Sequence, residues 1–137
     1  MIGTRTLLDG EQALTSATGT ILVVDDEVLI RMTVTEELEE SGYTCLEAAN
    51  GKDALALLEA HPEIELLVTD VGLPGGLNGR EVAEAARVSR PDLPVLFITG
   101  YADQQALADG ELRRTAVMAK PFRMPDLIET VRGLIAA

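Results

Sequence analysis

Aromatic side chains are nearly missing from this sequence, which has two Tyr, two Phe and no Trp in 137 residues. The core must therefore be aliphatic, and platforms for stacking nucleobases are scarce. Basic residues are also few, 11 Lys and Arg against 23 Asp and Glu, for a formal charge of −12. A field of that sign repels phosphate backbones and anionic membrane surfaces, so neither nucleic acid nor membrane is expected to be a direct partner. Cysteine occurs once, at Cys45, which excludes an internal disulfide and a cysteine-based zinc cluster and fits a reducing, cytoplasmic setting. No apolar run approaches the roughly 20 residues of a membrane span, and no basic-then-apolar signal pattern opens the chain.

What is present is one domain's worth of alternating elements. Residues 1–19 show weak periodicity and end in small polar residues, which reads as a flexible arm; residues 20–137 carry the domain. The run Thr20-Ile-Leu-Val-Val-Asp-Asp reads as a strand buried on both faces. Val28 to Ser41 has helical spacing, with Ile30, Val34 and Leu38 on one stripe and Gly42 as its stop. The alternation continues with strands at 43–48, 66–70, 94–99 and 116–119. Between and after them lie helices at 51–61, 78–89 and 125–136, with a short helical pattern at 103–109. Five strands alternating with helices predict an α/β fold, a doubly wound parallel sheet with helices on both faces.

Such sheets place their chemistry at the carboxyl ends of the strands. Here the first strand ends in Asp25-Asp26, the third in Asp70, the fourth in Thr99 and the fifth in Lys120-Pro121. Three converging carboxylates repel one another and call for a cation, and an all-oxygen set suits Mg²⁺. Lys120 adds an ammonium and Thr99 a hydroxyl, which together form a cage for a tetrahedral anion around a carboxylate able to form an acyl phosphate. Taken singly, an acidic pair is a helix cap, a Thr-Gly a turn and a Lys-Pro a loop. Their joint arrival at successive strand ends is what capping alone does not produce.

The segments ILVVDDE at 21–27, LLVTDVGLPGGLNG at 66–79, LFITGYA at 96–102 and AKPF at 119–122 resemble the receiver domains of two-component response regulators. The likeness is closest to receivers of, or associated with, hybrid sensor histidine kinases, and it implies a flavodoxin-like strand order of 2-1-3-4-5. It also implies that Asp70 accepts a phosphoryl group from a phosphohistidine. Asp26 and Asp70 would bind Mg²⁺ directly, helped by the Gly72 backbone carbonyl, with Asp25 acting largely through bound water. Lys120, ahead of a cis bond to Pro121, would pair with one phosphoryl oxygen, and Thr99 would bond another and shift on phosphorylation. The implied partner is a sensor histidine kinase or a histidine phosphotransfer protein, and the domain would catalyse only its own phosphorylation and reset.

The sequence departs from the family pattern in three ways. The position two before the lysine, usually aromatic, is Met118, and Tyr101 lies instead two after Thr99, so Tyr101 is the expected reporter of phosphorylation. The loop Pro74-Gly-Gly-Leu-Asn-Gly79 is one residue longer than usual, with Asn78 as the expected cap of the next helix. No output domain follows Ala137, which suits either a stand-alone receiver or a piece of a longer protein.

Val28 and Met32 lie opposite the buried stripe of the first helix, beside Asp26, and with Pro121 form the expected docking patch for a helical partner. Scattered surface apolars are the competing account of that patch. Glu36, Glu37, Glu39 and Glu40 read as a solvated helix face, His61 as a helix C-cap, and Cys45 as a small buried hydrophobe. Arg113 and Arg114, with Asp109 and Glu111, suggest a weak homodimer on the face of the fifth strand and its flanking helices.

Three rival functions fit less well. A haloacid-dehalogenase-type phosphatase needs an Asp-x-Asp pattern after the first strand, whereas Asp25 and Asp26 are adjacent. A flavin carrier of this fold needs a phosphate loop where the chain is acidic. A module that is never phosphorylated has no use for the complete set of acids and lysine.

Overall fold

In the computed structural model, which describes residues 18–100 and 114–136, branched aliphatic runs form five strands. These are β1 (Thr20–Val24), β2 (Thr44–Ala48), β3 (Ile64–Asp70), β4 (Val95–Thr99) and β5 (Thr115–Ala119). They make one sheet in the order β2-β1-β3-β4-β5, every neighbouring pair parallel, as the sequence predicts. Four helices are described: α1 (Val28–Glu40), α2 (Gly51–Ala60), α3 (Gly79–Ser89) and α4 (Met124–Ala136). None is long and apolar enough to cross a membrane.

Alternation along each strand divides the core into two layers. Leu22, Val24, Leu67 and Phe97 pack with Leu58 and Val82 under α2 and α3. Ile21, Val23, Val68 and Ile98 pack with Val34, Leu38, Leu127 and Val131 under α1 and α4. Each buried Leu, Val, Ile or Phe contributes about 1.5–3 kcal/mol, so the aliphatic inventory suffices without tryptophan.

Local signals place the helix starts. The Asn50 side chain accepts from the Asp53 N–H at the start of α2. Asn78 and Glu81 close a reciprocal capping box at the start of α3, which bears out the cap expected at Asn78. His61 stands at the C-cap of α2 and its ring meets Glu63 at 3.0 Å. β3 starts at Ile64, two residues before the sequence pattern suggests, because Ile64 is buried between exposed Glu63 and Glu65 and the register with β1 steps over Glu65. The expected helix at 103–109 and the arm, apart from residues 18 and 19, lie outside the described residues.

At the amino ends of the strands, arginines tie the layers together through backbone carbonyls. Arg90 donates to the carbonyls of Leu58, His61 and Ile64. Arg87 grips the Leu93 carbonyl with two nitrogens and also reaches the Arg114 carbonyl and the Thr115 hydroxyl. Arg114 itself donates to the carbonyls of Asp92 and Leu134.

Candidate functional site

Parallel pairing decides which side chains meet at the opposite edge. Val24 is in register with Thr69, Asp70 with Ile98, and Thr99 with Ala119, so Asp25, Asp70, Thr99 and Lys120 finish adjacent strands at nearly one level. Carboxylate oxygens of Asp25, Asp26 and Asp70 all lie within 4.8 Å of one another. Asp25 and Asp70 are buried, at 3% and 5% exposure, while Asp26 faces solvent.

The buried pair is anchored from several sides. Asp70 Oδ1 accepts from the Gly72 N–H at 3.1 Å, and Oδ2 accepts from Lys120 Nζ at 2.9 Å. Asp25 Oδ1 accepts from the Glu27 N–H at 2.8 Å, and its other oxygen lies 3.9 Å from Lys120 Nζ. The Lys120–Pro121 bond is cis, and the Lys120 N–H donates to the Thr99 carbonyl at 2.9 Å. The Thr99 hydroxyl, fully buried, donates to the Gly100 carbonyl at 2.8 Å.

Electrostatics follow from that crowding. Burial, reinforced by the charge of Asp70, raises the Asp25 carboxyl above its ordinary value despite the Glu27 N–H and Lys120. Partial burial pulls the Lys120 ammonium down, but its hydrogen bond to Asp70 and the charges of Asp70 and Asp25 outweigh this and raise it. Three hard carboxylates, whose charge exceeds that of the one ammonium among them, fit a small divalent cation such as Mg²⁺.

Glu27 is a member of this cluster that the strand-end pattern misses. Its carboxylate meets Lys120 Nζ at 3.3 Å, although it sits in the cap position of α1 rather than on a strand. The adjacency Asp25-Asp26-Glu27 was the available signal; the contact with Lys120 spans 93 residues and is not visible in any local pattern. Cys45 is only half-buried, and burial with Glu39 and Glu47 nearby pushes its thiol up to about 12, where it is unreactive.

An apolar groove of about 650 Å³ adjoins the cluster, lined by Leu29, Ile30, Thr33, Lys120, Pro121 and Phe122, among others. Leu29 is 80% exposed, and Val28 and Met32 are exposed beside it. Of the three expected docking residues, Pro121 lines the groove, while Val28 and Met32 are exposed on α1 but are not among its lining residues. Tyr101, Asp109, Glu111 and Arg113 lie outside the described residues.

The model of the response regulator receiver domain matches residues 21–132. The response regulator receiver protein CpdR of Brucella abortus is 34% identical over 118 residues, covering 85% of this chain and 97% of that protein. The sensor kinase CckA of the same organism is 32% identical over 125 residues; these are 88% of this chain but only 13% of the kinase. A crystal structure of a response regulator receiver protein from Sinorhizobium medicae superposes with a TM-score of 0.80 at 28% identity, covering 88% of this chain and 96% of that one.

Proposed function

Because this chain belongs to the response regulator receiver family, whose members are signalling phosphoacceptors, we propose that Asp70 accepts a phosphoryl group from a phosphohistidine in a Mg²⁺-dependent reaction. The observation that carries this is the bond from Lys120 Nζ to Asp70 Oδ2 inside the three-carboxylate cluster. Asp25, Asp26 and Asp70, with the Gly72 carbonyl, would hold the Mg²⁺. When bound, the ion supplies positive charge to the phosphoryl oxygens.

Asp70 is the nucleophile: its carboxylate oxygen bonds to phosphorus as the phosphorus–nitrogen bond to the donor imidazole breaks. Lys120 already touches that carboxylate and is placed to neutralise an oxygen of the incoming group. Thr99 would release the Gly100 carbonyl to bond another oxygen, and that exchange is the proposed switch, with Tyr101 two residues on as its reporter. Water attack on the acyl phosphate resets the domain. Cytoplasmic residence suits both a histidine kinase donor and the free thiol of Cys45.

Intact mass after incubation with acetyl phosphate and Mg²⁺ tests this reading. A gain of one phosphoryl group is expected, absent without Mg²⁺ and absent in Asp70→Asn. No gain, even from a phosphohistidine donor, recasts the chain as a docking module that is never phosphorylated.

The groove beside Lys120 is the proposed seat of a helical histidine phosphotransfer partner, since it brings an apolar helix face up to the acceptor carboxylate. Leu29→Glu is expected to slow transfer from a phosphohistidine protein by tenfold or more while acetyl phosphate labels it normally, because an exposed apolar anchor then carries a charge. Equal transfer rates for wild type and variant move docking elsewhere.

A further inference from the structure

Helix α1 sends one long side chain back over the turn that carries the acids. Arg31, whose side chain is only 15% exposed, donates from Nη1 to the Asp25 backbone carbonyl at 2.6 Å and from Nε to Glu47 Oε1 of β2 at 2.9 Å. The Asp25 N–H meanwhile donates to the Ala48 carbonyl of β2 at 3.1 Å. Both backbone polar groups of Asp25 are thus tied to neighbours, one directly by β2 and the other through an arginine that β2 orients. The Arg31 N–H also donates to the Glu27 carbonyl at 2.9 Å, so this residue holds the turn at both of its ends.

Resting on the Mg²⁺ reading above, we infer that Arg31 and Glu47 form a strut that positions the Asp25-Asp26-Glu27 turn for metal binding. Arg31 does not touch the ion; it is a positioning residue acting through a peptide group. Without the strut, repulsion among Asp25, Asp26 and Asp70 is free to rotate the turn outward, and the carboxylates then spread from the arrangement that brings them within 4.8 Å. Glu47 has a double part, fixing the guanidinium plane and cancelling its charge, so that the strut does not itself repel the cation.

Calorimetric titration of the full chain with Mg²⁺, without any phosphoryl donor, tests the strut. Arg31→Met is expected to weaken Mg²⁺ about tenfold or more, the usual cost of losing an outer-shell support. Arg31→Lys keeps the charge but cannot span both acceptors, so it should fall between wild type and Arg31→Met. Glu47→Gln should weaken binding in the same direction by less. A purely structural role would shift the thermal midpoint of the metal-free variants and leave the Mg²⁺ affinity alone.

Affinity within twofold of wild type in Arg31→Met, or tighter binding as lost repulsion would give, overturns the strut. If Arg31→Met does not fold, Arg31→Lys and Glu47→Gln decide: both within twofold of wild type overturns it equally. A wild-type chain that binds no Mg²⁺ removes the metal reading and the strut together, an outcome distinct from unchanged variants of a chain that does bind.

Discussion

Gly79→Ala is expected to destabilise the domain by about 3 kcal/mol or more and to disable phosphorylation, Gly79 being the most tightly enclosed of the described glycines. A Cβ at this position would lie 2.1 Å from the Asp70 carbonyl oxygen, 2.9 Å from its carbon and 3.0 Å from the Val71 Cα. All three are backbone atoms, so no side chain can swing away to make room. The Gly79 N–H also donates to the Val71 carbonyl at 2.8 Å, pressing the start of α3 against the end of β3. The helix must therefore withdraw, breaking that bond and the Asn78–Glu81 capping box, or the Asp70 peptide must move. The gain in helix propensity, at most about 1 kcal/mol, does not offset either. Gly133→Ala, in α4 with nothing within 4 Å of the added carbon, is the control and is expected to stabilise by up to about 1 kcal/mol. Urea denaturation of the two variants should give opposite signs; a stable, phosphorylatable Gly79→Ala would show that the contact between β3 and α3 is slack.

Asp25→Asn is expected to reverse its stability ranking against wild type according to whether Mg²⁺ is present. Burial raises the Asp25 carboxyl in the folded chain, with Asp70 adding to it, so the fold binds this proton more tightly than the unfolded chain does. Stability from that protonation is fully present below the ordinary value of 3.8 and is lost as pH rises through the higher folded value. At neutral pH an ionised, buried Asp25 is thus a cost, and the uncharged Asn escapes it. Metal-free Asp25→Asn should melt a few degrees above wild type at pH 7, and the difference should narrow toward acid. Mg²⁺ at a hundredfold excess over its dissociation constant adds about 2.7 kcal/mol to wild type, roughly 10 °C in a chain of 137 residues. The variant should gain much less, so the melting curves exchange order. A metal-free variant less stable than wild type at pH 7 would mean that Asp25 is held by its hydrogen bonds more than it is penalised by burial.

The strand ends were legible because parallel pairing turns sequence position into place. Once alternation identifies five strands, Asp25, Asp70, Thr99 and Lys120 must meet at one edge, and they do. The buried stripe of α1 was legible for the same reason, with Val34 and Leu38 inside. What escaped notice belongs to contacts between elements distant in sequence. Periodicity shows that one side of α1 faces out, but not that Leu29 shares a groove with Pro121 and Phe122, nor that Arg31 reaches β2. Glu27 and Gly79 each look like ordinary cap-region residues until β5 and the end of β3 are placed against them. Ile64 was hidden between two glutamates whose charges mask the start of a strand.

The arginines at the amino ends of the strands make the molecule mechanically lopsided. Arg87, Arg90 and Arg114 clamp carbonyls of helix ends, strands and connecting loops into a footing. The other end carries the acids and Lys120, whose charge balance would change if Asp70 is phosphorylated as proposed. Such a body is expected to respond like a cantilever, with load at the tip bending the loops there while the footing stays still. On the proposed function, a change at Asp70 would then be felt at α1 and the groove beside Lys120, where the proposed partner docks, rather than through the footing.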